Sequence, residues 1–466
     1  MRRIGLEIHC QLTGLESKLF CPCRSDYRGM APNTNTCPIC MGVPGTLPRL
    51  NRGALRGALL IGMALGCKTP ERLAFFRKNY FYPDLPKNFQ TTQLDAYWHS
   101  SAGGPGSVDL GGDSVRIRRV QLEEDPGRIT YGGEGRNRTT LVDYNRAGVA
   151  LVEIVTEPDL EDPAHVRRFV SALADLLENL GVTDPGLEGA MRADANVSVG
   201  DGARVEVKNV GSFRDLERAV RFEITRQEEL VSRGGTVAGE TRQWDEGRRI
   251  TVGARVKEDD PDYRYFPEGD IPWIRLDQGT ASSLRASLPE GIAERRARYA
   301  GLGIPAQVAD VLSSDSHYSA LFDRAHTGPD AKEIANLVTS DLMGLAATRE
   351  ERRGSGVTAG GLRDLAAAVI SGRLSRKSAK EALLRMHEGG GDLEGIIREA
   401  GLGNVTDSAE IAGVVAEVIA EEPGAAADAA SNPEAVNYLV GMVMKKTRGR
   451  ADPAATISEI RRALGG

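Results

Sequence analysis

Six cysteines, several closely spaced carboxylates and one early histidine are the residues of this chain best suited to chemistry. Four of the cysteines stand as Cys21-x-Cys23, then thirteen residues, then Cys37-x-x-Cys40. In a reducing compartment such close pairs read as metal ligands rather than as disulfides. The segment between them is rich in Arg, Asp, Gly, Asn and Thr, a loop able to fold around an ion. Four thiolates suit tetrahedral zinc in a closed, structural site, and an iron–sulfur or rubredoxin-like iron centre is the nearest alternative. Cys10 and Cys67 fall outside the set. Cys67 ends a helical pattern and reads as a small buried side chain.

The acids form a second group. Glu123-Glu124-Asp125 precede Pro126-Gly127, Glu258-Asp259-Asp260 precede Pro261, and Glu153 lies inside the apolar run Leu151–Val155. A carboxylate within an apolar strand is costly unless it is paired or holds a cation, so Glu153 is a better ligand candidate than the loop acids. Glu7, His9, Glu124 and Glu153 together could hold a divalent ion. Magnesium prefers oxygen ligands, and the histidine leaves manganese or zinc open. Each acid taken alone reads better as an ordinary surface charge or salt bridge, and only the combination raises the metal reading.

These side chains need elements to position them. Ile4, Leu6 and Ile8 alternate with Gly5, Glu7 and His9, which predicts a strand over residues 1–12 with Glu7 and His9 on one face. Asn51 caps a helix carrying Leu55, Leu59 and Met63, closed by Gly66. An aromatic run follows, Phe75, Phe76, Tyr80, Phe81, Tyr82 and Phe89, broken by Pro83 and Pro86. It is either a buried aromatic loop or the wall of a nucleotide or RNA pocket, with Arg77, Lys78 and Lys87 facing phosphate. Val115–Val120 and Leu151–Val155 read as strands. Asp162-Pro163 opens a helix with Val166, Phe169, Val170, Leu173 and Leu177 on one side. Residues 190–210 read as a hairpin turning at Gly200-Asp201-Gly202. Its polar face carries Asp194, Glu206 and Lys208, either a solvated surface or the floor of a cleft. Beyond a Pro- and Gly-rich break near 266–290 strands almost vanish, and seven helices from Ala331 to Leu464 are expected.

The chain of 466 residues has 59 Lys and Arg against 65 Asp and Glu, a net charge of −6 spread evenly along it. That excludes a wholly basic nucleic-acid coat, and any nucleic-acid contact must use local patches. Ordinary hydrophobic content, 41%, excludes disorder as the main state. No apolar stretch approaches the roughly 18–20 residues of a membrane helix, and the start does not read as a signal peptide, so a cytoplasmic protein is expected. The Walker loop, the Rossmann glycine pattern and the Gly-x-Ser-x-Gly elbow are absent, as is a Gly-Gly-Ser-Ser run of an amidase. Any ATP must therefore use a less common cradle.

Taken together, several long segments resemble a known family. They are Ile4-Gly5-Leu6-Glu7-Ile8-His9, Arg77–Lys87, Leu122–Gly127, Asp143–Gly148 running on to Glu153–Asp159, Arg192–Ser198, Glu206–Asn209 and Asp262–Glu268. The chain resembles, over its full length, the family of aspartyl/glutamyl-tRNA(Asn/Gln) amidotransferase B subunits (GatB). The resemblance implies an α+β fold: an N-terminal α/β cradle domain with a zinc loop (1–288), an all-α helical domain (289–400) and an α-helical YqeY-like tail (401–466). It implies an enzyme that uses ATP and Mg2+ to phosphorylate the side-chain carboxylate of Glu-tRNA(Gln) or Asp-tRNA(Asn). Ammonia, channelled from a glutaminase A subunit, then forms the amide, and a small C subunit clasps A and B. The lack of an amidase motif fits that division of labour.

By the same resemblance His9, Glu124 and Glu153 match magnesium-ligand positions with Glu7 adjacent. Glu7, Asp194, Glu206 and Lys208 are the expected catalytic residues of the cradle floor, and Lys78, Tyr80, Tyr82 and Lys87 the expected substrate-binding ones. Cys21, Cys23, Cys37 and Cys40 would hold structural Zn2+, since some members of the family lack them. In the tail, Lys445, Lys446, Arg448 and Arg450 are the expected tRNA contacts, although a basic helix end favoured by the helix dipole reads equally well. A related archaeal subunit carries a large extra domain before the tail for which this chain has no room, which favours the type serving both tRNAs. Two other readings compete: a non-enzymatic zinc-containing RNA scaffold, disfavoured by Glu153 and the polar hairpin face, and a free-standing ligase acting on a free amino acid, disfavoured by the helical extension.

Overall fold

A computed structural model describes residues 1–94, 100–109, 114–132, 139–256, 263–346, 349–402, 408–429, 435–447, 451 and 453–464. The chain divides into two compact units, Met1–Gly291 and Ile292–Gly466.

The first unit opens with β1 (Arg2–Gln11), α1 (Arg52–Ala64), β2 (Arg72–Leu73), β3 (Phe76–Asn79) and β4 (Phe89–Thr92). Next come β5 (Gly106–Asp109), β6 (Ser114–Glu124), β7 (Arg128–Gly132), β8 (Thr139–Asp143), β9 (Ala150–Thr156) and α2 (Pro163–Asn179). It continues with β10 (Met191–Val199), β11 (Val205–Lys208), α3 (Phe213–Ser232), β12 (Glu240–Asp245) and β13 (Ile250–Val256), and closes with β14 (Phe266–Pro267), β15 (Ile274–Arg275) and α4 (Gln278–Ala286). An eleven-stranded sheet runs β13-β12-β11-β10-β1-β9-β6-β4-β3-β14, with β5 also paired to β6.

The expected first strand lies at the centre of this sheet, antiparallel to β10 on one side and β9 on the other. Its alternation decides which side chains go where. Ile4, Leu6, Ile8 and Cys10 are buried against one face, together with Val152 and Ile154 of β9 and Ala193, Ala195 and Val197 of β10. Three amphipathic helices cover that face. α1 contributes Ala54, Ala58 and Ile61, α2 Val166, Phe169, Leu173 and Leu177, and α3 Leu216, Val220 and Ile224. Asn51 and Asp162 cap α1 and α2 by accepting from backbone N–H groups of the first turn. Gly66, at φ +65°, follows the end of α1 where an added Cβ would lie 2.5 Å from the Ser107 carbonyl oxygen, so only glycine fits the turn. The expected hairpin is present as β10 and β11, reversing at Gly200 with φ +61°.

Among the described residues the second unit is built of helices joined by turns and loops, from Ile292–Gly301 to Pro453–Ala463. The expected helix Ala331–Met343 is interrupted: Ala331–Asn336 is α-helical, Leu337–Leu342 is a π-helical segment, and Met343–Leu345 returns to α. Two separate buried clusters hold this unit. One runs from Tyr299 to Leu402 and includes Phe322, Leu365 and Met386; the other runs from Ile411 to Ile460 and includes Val415, Leu439 and Val443.

Candidate active site in the cradle sheet

With the apolar side chains of the central strands under the helices, the intervening ones point to the opposite face. In register, Glu7 pairs with Asp194 and Val155, His9 with Arg192 and Glu153, and Gln121 with Glu153. His9 Nε2 lies 3.6 Å from Glu7 Oε1, 3.8 Å from Glu153 Oε2 and 3.8 Å from Glu123 Oε1. The ligand atoms of Glu7, His9 and Glu153 all lie within 4.8 Å of one another, a spacing that a single divalent ion can bridge. These residues line a cavity of about 660 Å³ with Lys78, Tyr80, Glu123, Arg192, Asp194 and Lys208.

Crowded carboxylates in a half-dry cleft resist ionisation. Burial and then the Glu153 carboxylate hold Glu7 above its ordinary range. The same two causes push Glu123 up to about 7. A bound cation would relieve this repulsion, and it is the physical reason the donor set fits a metal. The cations answer the acids. Lys208 Nζ sits 3.1 Å from Glu206 Oε1 and 3.4 Å from Asp194 Oδ2. Burial would lower this lysine, but Asp194, Glu206 and Glu7 outweigh it and raise it above its ordinary value. Lys78 is raised as well: burial would lower it, but Glu123, Tyr265, Tyr80 and Tyr263 together outweigh that. Its ammonium lies 4.7 Å from the Tyr263 ring centroid and 5.5 Å from that of Tyr80.

Not all expected site residues meet here. His9 and Glu153 do, with Glu7, but Glu124 does not. Successive side chains of β6 project to opposite faces, so Glu123 takes the position beside His9. Glu124 instead pairs with Lys87, accepts from the Thr91 N–H at 3.0 Å, and lines a separate cavity of about 180 Å³ that also touches Cys21, Cys40, Arg77 and Glu268. Lys87 lies in that cavity and not in the cradle. Arg77 is there too, its guanidinium on both Glu268 oxygens at 2.6 and 2.7 Å. Tyr80 lines the cradle, whereas Tyr82 is 56% exposed and Phe81 74% exposed, away from it. Asp194 and Lys208 line the cavity; Glu206 supports Lys208 from behind and accepts from Thr241 Oγ1 at 3.1 Å. Glu123, Arg192 and Asp125 were missed as site residues. Strand parity, which separates Glu123 from Glu124, becomes useful only once the register with β9 is known.

The four expected cysteines do come together, their Sγ atoms within 4.8 Å of one another and Cys37 and Cys40 3.9 Å apart. Zn–S bonds of about 2.3 Å in a tetrahedron require sulfurs about 3.8 Å apart, so zinc would draw the set together by no more than about 1 Å. The Cys37 N–H donates to Cys40 Sγ at 3.2 Å, and the fully buried Lys18 places its ammonium 3.9 Å from the same sulfur. The Cys21 thiol and, against burial, the Lys18 charge bring Cys40 down to about 5. Cys10 and Cys67 are buried elsewhere, and burial pushes both thiols up to about 12.

In the tail, Lys445 and Lys446 end the helix Val436–Lys446 and are exposed, with Lys446 bonded to Glu417 at 3.0 Å and Glu421 at 2.7 Å. Arg448 and Arg450 lie outside the described residues. No helix among the described residues is long and apolar enough to cross a membrane.

Comparison with known proteins bears on the family of the chain. Residues 2–282 match the family described as the GatB/GatE catalytic domain, and residues 321–464 match the one described as the GatB domain. The aspartyl/glutamyl-tRNA(Asn/Gln) amidotransferase B subunit of Sulfurisphaera tokodaii is 43% identical over 100% of both chains. Its namesake from Thermus thermophilus is 43% identical over 99% of this chain and 98% of its own. That from Thermomicrobium roseum is 41% identical over 99% and 98%. With both matches in order along the sequence and relatives this similar from end to end, the chain belongs to the GatB family of amidotransferase B subunits.

Proposed function

We infer that this chain is the B subunit of a glutamyl/aspartyl-tRNA amidotransferase, and that its cradle phosphorylates the side-chain carboxylate of Glu-tRNA(Gln) or Asp-tRNA(Asn) with ATP before amidation. The observation that carries the reading is the meeting of Glu7, His9 and Glu153 over one cavity with Asp194 and Lys208, in a chain related from end to end to proteins of that name. A carboxylate is a poor electrophile because it would have to expel oxide. Converting it to an acyl phosphate supplies the leaving group. Phosphoryl transfer asks chiefly for positioning and charge neutralisation.

Glu7, His9 and Glu153 would hold Mg2+, which when bound neutralises phosphate charge. Lys208, oriented by Asp194 and Glu206, brings a positive charge to the cavity floor, and Lys78 brings another at the wall formed by Tyr80 and Tyr263. Buried Glu123, its carboxyl pushed up to about 7, accepts from Thr92 Oγ1 at 3.0 Å, lines the cavity and would take the proton that the attacking ammonia gives up. The amide forms as the nitrogen attacks the acyl phosphate and inorganic phosphate departs. Cys21, Cys23, Cys37 and Cys40 would hold Zn2+ as a brace. The reading divides the chain into a cradle (1–288), a helical domain (289–400) and a tail (401–466) that contacts tRNA through its basic end. Its partners are the glutaminase A subunit and the C subunit, and it places the work in the cytoplasm.

The test is reconstitution with A and C partners, γ-labelled ATP, magnesium and each charged tRNA. Phosphate release should require charged tRNA and be abolished in Glu153→Gln and His9→Ala. Retention of tRNA without charged-tRNA-dependent release would leave the RNA-scaffold reading instead.

A further inference from the structure

Arg192 is conspicuous among the cations lining the cradle. Lys208 is committed to two carboxylates and Lys78 to two aromatic rings. The Arg192 guanidinium gives only Nη2 to a protein acceptor, Asp125 Oδ1 at 2.9 Å. Among the described residues its Nε and Nη1 have no hydrogen-bond partner. The side chain remains 36% exposed while that of Asp125 is fully buried. It also stands where two cavities adjoin. The 660 Å³ cavity and a neighbouring one of about 340 Å³ share Arg192, Met191 and Val210.

Asp125 is itself held from behind. Its Oδ2 accepts from Gln11 Nε2 at 2.6 Å, and Gln11 Oε1 accepts from Arg28 Nη2 at 2.7 Å. Arg28 lies on the loop between the two cysteine pairs, where its Nε donates to the Glu188 carbonyl at 3.0 Å. Burial alone would raise the Asp125 carboxyl; Arg192, Arg146 and Gln11 hold it below its ordinary value, so it stays a carboxylate.

A guanidinium tied along one edge by a buried carboxylate presents its remaining N–H groups in a fixed direction, the arrangement that suits a phosphate or carboxylate. We propose that Arg192 anchors an anionic group of the substrate in the cradle, and that Asp125, Gln11 and Arg28 are positioning residues that transmit the order of the cysteine loop to it. The proposal rests on the kinase reading for the identity of the anion, which is either a phosphate of ATP or the carboxylate of the aminoacyl group.

Calorimetry on the full-length chain separates these sources. The probes are magnesium ATP, tripolyphosphate, and a stable amide analogue of glutamyl-adenosine. Arg192→Gln should weaken one class of probe about tenfold to a hundredfold, and Arg192→Lys, which keeps the charge but loses the fork, by less. Loss confined to ATP and tripolyphosphate assigns phosphate; loss confined to the analogue assigns carboxylate. Asp125→Asn should weaken the same probe, and Arg28→Ala should do so by severalfold with the melting temperature unchanged. Affinities within twofold of wild type for all three probes in Arg192→Gln would overturn the anchor. A lowered melting temperature in Asp125→Asn with unaltered affinities would overturn the positioning role. Arg192-dependent tripolyphosphate binding in a complex that shows no charged-tRNA-dependent turnover would uphold the anchor while removing the kinase reading.

Discussion

Asp125 has no solvent exposure and meets Arg192 and Gln11 at hydrogen-bond distance, with Arg146 3.7 Å away. Removing its charge takes the charge-assisted partner from two half-buried arginines and leaves a buried amide in its place, and Asp125→Asn should destabilise the first unit by about 1–3 kcal/mol in urea unfolding. The sign with pH follows from its depressed carboxyl. Its contribution is present above the ordinary value of 3.8 and is lost as pH falls through the lower folded value. Wild-type stability should therefore fall more steeply than that of Asp125→Asn below about pH 4. At the cradle, the parity of β6 separates two neighbouring acids. Glu7→Gln and Glu153→Gln should each weaken magnesium binding by at least about tenfold, whereas Glu124→Gln should leave it within about twofold in a direct titration. An equal loss in Glu124→Gln would return that residue to the metal site and contradict the arrangement seen here.

At the scale of elements, the decisive feature is that a strand offers two faces and helices can cover only one without burying charge. β1 places Glu7 and His9 opposite Leu6 and Ile8, and β9 and β10 repeat the arrangement with Glu153 and Asp194. α3 is tied to the sheet by a polar link. Glu223, fully buried on α3, binds Arg226 at 2.6 Å, Gln227 at 2.8 Å and Thr251 of β13 at 2.9 Å, with Arg242 of β12 3.5 Å away. Glu223→Ala should destabilise by about 3 kcal/mol, loosening β12 and β13 in hydrogen exchange before β1. The cysteine loop is braced on several sides, since Asn33 and Asn35 bond Asp143 and Asn145 and Lys18 donates to the Asn35 carbonyl at 2.8 Å. Cys40→Ser, or stripping with a strong chelator, should lower the melting temperature by about 5 °C or more and release one equivalent of zinc in a chromogenic assay.

The whole molecule consists of a sheet-based unit and a helical unit, each with its own buried clusters. Such a chain should unfold in more than one calorimetric transition. Leu365→Ala empties space in the core around Phe322 and Met386 and should destabilise one transition by about 2–5 kcal/mol while magnesium ATP binding stays unchanged.

Much of this was legible beforehand. The alternation of β1, the caps at Asn51 and Asp162, the β10–β11 hairpin and the four-cysteine cluster depend on neighbours close in sequence, where period and spacing carry the information. The long segments resembling GatB pointed to the family before any coordinates. The π-helical stretch Leu337–Leu342 was not legible, because a one-residue slip in helical bonding leaves no mark on an apolar pattern. Nor were the roles of Glu123, Glu124, Lys87 and Arg192. Each depends on which strand lies beside which and in what register, with contacts spanning more than 30 residues. The sequence by itself determined which side chains could ionise or bind metal and which face of each element would be apolar. Only the tertiary structure decided which charges meet, because a carboxylate's partner and its ease of ionisation are set by groups brought close through the fold.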